Sequence, residues 1–111
     1  MNKYPKRGEV YWVNLEPAIE SETKKIHPCL IVSSDIGNAN SPLVMIAPIT
    51  SKIHKIYPFE ATLNINGKKC KVMLNQARSV DKSRLGTKIN ERLSVEILQQ
   101  VDKAIKAELT H

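Results

Sequence analysis

The chain is 111 residues long with a formal net charge of +6, and its 41% hydrophobic and 25% charged content fits one soluble globular domain over residues 1–111. No apolar run approaches the roughly 18 residues that cross a bilayer, so a membrane is not expected as a partner. The charged opening Met1-Asn2-Lys3-Tyr4-Pro5-Lys6-Arg7 is not followed by an apolar h-region, and the expected location is cytoplasmic.

The positive balance favours a polyanionic partner, with nucleic acid first. Cys29 and Cys70 sit in apolar surroundings without metal-ligand spacing and read as free, buried thiols.

In chain order, Arg7 to Leu15 is rich in aromatic and β-branched residues and reads as a first strand. Val10, Trp12 and Asn14 fall on one face, Glu9, Tyr11, Val13 and Leu15 on the other. Glu16-Pro17 ends it, and Ala18 to Ile26, charged and aperiodic, reads as an exposed loop. A second, buried strand is expected from Pro28 to Ser33, with His27 extended at its entrance because a proline follows. Asp35 to Pro42 is dense in turn formers and reads as a turn.

Leu43 to Ile49 reads as a strand buried on both faces. Tyr57 to Ile65 and Lys69 to Asn75 flank Asn66-Gly67, a strong hairpin signal. Ser79 to Leu85 reads as a single helical turn closed by Gly86, and Lys88 to Leu93 as a short edge strand. Ser94 is then a good N-cap, with Glu96 placed to favour the helix dipole. Leu98, Val101, Ala104, Ile105 and Leu109 follow at helical spacing. About five or six short strands and one helix predict a mainly β fold, a small curved barrel with a C-terminal amphipathic helix packed on it.

No phosphate-binding glycine loop, metal-ligand spacing or nucleophile elbow occurs, and no cofactor is expected. The polar residues gather instead at strand ends. Glu22, Lys24, Lys25 and His27 precede strand two and Asn38 follows it. Thr50, Ser51 and Lys52 follow strand three, and Asn75, Gln76 and Arg78 follow the hairpin. Histidine titrates near neutrality, threonine offers a hydroxyl, and lysine and arginine grip phosphate oxygens. These groups suit metal-free RNA cleavage, which needs a base, an acid and fixed positive charge. On spacing and composition alone the same residues read more often as a surface or capping histidine, a turn threonine, a solvated basic loop and an Arg78–Asp81 helix-surface pair.

Arg7-Gly-Glu-Val-Tyr-Trp-Val-Asn-Leu-Glu-Pro17 with Ser21-Glu22 resembles the opening of the MazF/PemK/Kid toxins. The resemblance continues through Pro28 to Asp35, Asp35-Ile-Gly-Asn38, Ser41-Pro42, Ala47-Pro-Ile-Thr-Ser51, Tyr57-Pro-Phe-Glu60 and Gln76 to Leu85. It implies an SH3-like β-barrel of the CcdB/Kid/MazF type, a homodimer and a metal-independent endoribonuclease. The expected substrate is single-stranded RNA, cut at short motifs to 2′,3′-cyclic phosphate and 5′-hydroxyl ends. A MazE-like antitoxin with an acidic C-terminal tail is implied as partner.

By this resemblance Thr50 falls on the catalytic threonine or serine, Glu22 on a loop acid near RNA, and Gln76 and Arg78 on a substrate-contacting Gln-x-Arg block. Two positions depart. The family carries arginine before the strand-two proline, where this chain has His27, and an acid before the glutamine, where it has Asn75. His27 with Thr50 then forms the catalytic pair, with Lys24 or Lys25 adding charge. The alternative is a catalytically weakened module that binds RNA or antitoxin. A third reading, gyrase inhibition as by CcdB-type toxins, fits less well because the blocks around Thr50 and Gln76 follow the ribonuclease branch.

Overall fold

The computed structural model describes residues 4–15, 26–90 and 92–110. Seven strands and two helices run in the order β1 (Val10–Asn14), β2 (Ile26–Ile31), α1 (Asp35–Asn40), β3 (Leu43–Thr50), β4 (Glu60–Ile65), β5 (Lys68–Met73), β6 (Arg78–Asp81), β7 (Leu85–Asn90) and α2 (Val95–Thr110). They form one antiparallel sheet in the order β4-β5-β3-β2-β1-β7, with β6 also paired to β3. The expected mainly β fold with a C-terminal helix is the one observed.

Both faces of the sheet bury side chains, because strands expose alternate residues to opposite sides. Val10, Leu30, Ala47, Ile49, Leu63 and Val72 pack into one cluster, which Val101 and Ala104 of α2 cover. Val13, Cys29, Ile31, Val44, Ile46 and Val80 form a second cluster with Tyr11, Leu15 and Leu85 against it. The two faces expected for the first strand are therefore real, and each has its own core.

The hairpin is where the sequence puts it. Asn66 and Gly67 take φ of 52° and 80°, as a tight turn between twisted strands requires, and Ile65 pairs with Lys68. Ser94 caps α2 through Oγ, which accepts from the Ile97 N–H. Leu109, expected in the buried stripe, is 79% exposed, and only Val101 and Ala104 of α2 are buried. The β7 edge strand begins at Leu85, earlier than expected. Gly86 lies within it, where a Cβ would stand 3.2 Å from the Trp12 carbonyl oxygen.

Four local expectations are corrected. β2 starts at Ile26, so His27 lies inside the strand, paired with Val13, and Pro28 pairs with Trp12. The 35–40 stretch is a short helix, because Ser34 serves as its N-cap and accepts from the Gly37 N–H at 3.1 Å. Leu43 and Met45 are exposed, since only the other face of β3 is covered at that end. Residues Arg78–Asp81 are a strand paired with β3, and the helical turn shrinks to Lys82–Arg84, capped by Asp81 accepting from the Ser83 N–H. Arg78 and Asp81 are therefore strand residues, not a helix-surface pair.

Asp35 ties three elements together at this end of the sheet. Its carboxylate accepts from the Arg7 N–H at 2.8 Å and pairs with Arg92, while Arg7 reaches the Val32 carbonyl and Asp102 of α2. The Arg7 N–H chiefly, helped by Arg92 and Lys6 against some desolvation, holds the Asp35 carboxyl below the usual carboxylate range. A carboxyl depressed in the folded state contributes stability above its unfolded value near 3.9 and loses it as pH falls through the folded value. Urea midpoints should therefore show Asp35→Asn less stable than the parent above about pH 4, with the gap closing below it.

Candidate active site

The strand register assembles the site. Cys29 of β2 stands opposite Pro48 of β3. The β2–β3 pairing ends there, with His27 two residues further along β2 and Thr50 two residues further along β3. Side-chain alternation puts them on one face, with Cys29, Ile31 and Ile46 of the second cluster marking the side from which both project. On the far side of β3, Arg78 pairs with Ile46 and shares that face. Its charge is felt at the Cys29 thiol, two residues from His27, although burial dominates and pushes that thiol up to about 12. Cys29 is thus an inert, protonated core residue.

Thr50 is the last residue of β3 and is half-buried. Its Oγ1 accepts from the Lys52 N–H at 3.1 Å, which fixes the hydroxyl while leaving its own O–H to donate. His27 is half-buried within β2. Arg78 is exposed at the start of β6. An imidazole, an oriented hydroxyl and a guanidinium on one face can move a proton, position a phosphate and balance its charge.

The other expected residues divide. Ser51 and Lys52 are exposed immediately after Thr50, and Asn75 and Gln76 are exposed in the 3-10 turn Leu74–Gln76 that leads into β6. Asn38 is a correction: it is fully buried, accepts from Ser33 Oγ and donates to the Ser33 carbonyl at 3.1 Å. Its amide holds α1 against the end of β2 and does not face a ligand. Glu22, Lys24 and Lys25 lie outside the described residues.

Sequence reasoning passed over Lys71 and Glu60. Lys71 is the cross-strand partner of Thr50 and is 9% exposed, with its Nζ 3.0 Å from Glu60 Oε1. The available signal was a lysine between Cys70 and Val72 in a strand whose neighbours turn inward.

Residues 6–109 match the model of the PemK-like, MazF-like toxins of type II toxin–antitoxin systems. Endoribonuclease EndoA of Bacillus subtilis is 36% identical over 110 residues, covering 94% of this chain and 93% of that protein. The crystal structure of MazF from Deinococcus radiodurans superposes with a TM-score of 0.79 at 28% identity, covering 99% of this chain and 100% of that one. A MazE–MazF structure from the same organism gives 0.75 at 28% identity and 98% coverage of both chains. The chain with His27 and Thr50 on one sheet face belongs to the PemK/MazF toxin family of type II toxin–antitoxin systems.

Proposed function

We propose that this protein is the toxin of a type II toxin–antitoxin system and acts as a sequence-selective endoribonuclease on single-stranded mRNA in the cytoplasm. The observation that carries the reading is the shared face of His27, Thr50 and Arg78, in a chain whose relative EndoA is named an endoribonuclease. His27 exchanges a proton with the reacting RNA. The 2′-oxygen loses a proton and bonds to phosphorus, the P–O5′ bond breaks, and the 5′-oxygen gains a proton. The products are a 2′,3′-cyclic phosphate and a 5′-hydroxyl.

Thr50 donates its hydroxyl proton to a phosphate oxygen, and Arg78 offsets the negative charge that builds on phosphorus. Ser51, Lys52, Asn75 and Gln76 hold flanking nucleotides. Glu22 is assigned to RNA contact on the family resemblance, and Lys24 or Lys25 to fixed positive charge beside His27 on their place in the sequence before strand two. The step uses no cofactor.

The MazE–MazF pairing in the D. radiodurans structure supports an antitoxin partner. An acidic antitoxin tail would compete with RNA for a surface of a chain carrying +6 net charge. A second copy of the chain completes the assembly as a homodimer.

The test is incubation of the purified protein with a long single-stranded RNA in EDTA. Discrete fragments at a short recurring motif, unchanged by the chelator, are expected. Intact RNA, or cleavage that needs added divalent metal, overturns the reading.

A further inference from the structure

We infer that the buried Lys71–Glu60 ion pair is a positioning strut for the loop after Thr50, and that cleavage depends on it although neither side chain touches RNA. The inference rests on the assignment of Thr50 and its loop to the reaction.

Lys71 Nζ donates to Glu60 Oε1 and to the Lys55 carbonyl, each at 3.0 Å. The same Glu60 oxygen accepts from the Tyr57 N–H at 3.0 Å. Lys71 and Glu60 side chains are 11% and 6% exposed. The pair therefore grips residues 55 and 57 from the floor of the sheet, while Thr50 Oγ1 grips Lys52 at the near end. The Tyr57 ring stacks on Phe59, with centroids 5.3 Å apart, and Lys55 Nζ lies over the Tyr57 ring. Ser51 and Lys52 ride on the segment so fixed.

Stability alone does not account for the pair. Burying two charges costs desolvation that their attraction only just repays, and an apolar pair of similar volume often serves as well. An apolar pair, however, cannot donate to the Lys55 carbonyl or accept from the Tyr57 N–H. What the ions add is the placement of the loop, and small displacements at a reacting centre cost large factors in rate.

The experiment compares the parent with the double variant Lys71→Met/Glu60→Leu. It reads thermal unfolding, kcat and KM on a single-stranded oligonucleotide containing the cleaved motif, and deuterium exchange over residues 51–57. The variant is expected to melt near the parent, to lose about 100-fold in kcat with KM little changed, and to exchange faster in the loop. A folded variant with parental kcat and parental exchange overturns the strut. If that double variant does not fold, Lys71→Met/Glu60→Gln is read in the same way. There no charge is left buried unpaired and the Tyr57 N–H keeps an acceptor, but the Lys55 carbonyl loses its donor, and parental kcat and exchange again overturn the proposal. A parent that cleaves no RNA defeats the ribonuclease reading instead, and the exchange rates then decide the strut alone.

Discussion

Replacing Thr50 by alanine is expected to slow RNA cleavage by about 10²- to 10⁴-fold, the range for losing one positioned group in proton transfer and charge stabilisation. The threonine is half-buried at the end of β3, and its Oγ1 receives the Lys52 N–H at 3.1 Å. That contact uses the oxygen as an acceptor and leaves the hydroxyl proton to donate elsewhere. Alanine removes the hydroxyl and releases the Lys52 N–H, so the proposed phosphate contact and the hydrogen bond that holds Lys52 are both lost. Thr50→Ser keeps the oxygen and should retain activity within about tenfold, since the hydroxyl and not the methyl carries the contact. Melting curves separate the effect from unfolding: a strand-end substitution of this kind costs about 1 kcal/mol or less. Single-turnover rates of Thr50→Ala within a few-fold of the parent would remove Thr50 from the reaction.

Exchanging His27 has the second large effect, and it separates the two functional readings. Histidine is the side chain whose charge changes between roughly pH 5 and 8, whereas arginine stays charged and cannot pass a proton near neutrality. If His27 handles the proton, His27→Ala and His27→Arg both lose about 10²- to 10⁴-fold in kcat. The arginine variant in addition keeps or improves its KM, because its planar fork still grips phosphate. The alternative, a weakened binding module, predicts the reverse: an inert parent that gains cleavage when arginine stands before Pro28. Rate measurements on the three proteins at matched salt decide between them, since salt itself shifts RNA affinity.

Elements built from local signals were legible in the sequence. Asn66-Gly67 dictates its turn because few other residues adopt those positive φ values. Ser94 and the spacing of Leu98, Val101 and Ala104 mark α2 for similar reasons. Ambiguous local signals and pairings with distant partners were not. Asp35 to Asn40 is built from turn-forming residues that equally cap and start a helix, and the Ser34 contact with Gly37 settles the choice. The 78–81 segment became a strand only because the open side of β3 accepts it.

The site divides along the same line. His27 and Thr50 could be named from their blocks, but their common face follows from the β2–β3 register, which no single stretch encodes. Asn38 looked like a ligand-facing amide because its partner, Ser33, lies across a corner that only folding creates. Lys71 and Glu60 were overlooked for the opposite reason. A lysine and a glutamate eleven residues apart carry no mark of pairing until β4 and β5 close the hairpin.

Metal-free transesterification at a face built from His27 and Thr50 is tested most directly by the chemical ends of the RNA fragments. Fragments made in EDTA should carry 2′,3′-cyclic phosphates and 5′-hydroxyls, and Thr50→Ala and His27→Ala should yield few or none of them. Fragments ending in 3′-hydroxyl and 5′-phosphate, or identical cleavage by both variants, would contradict it.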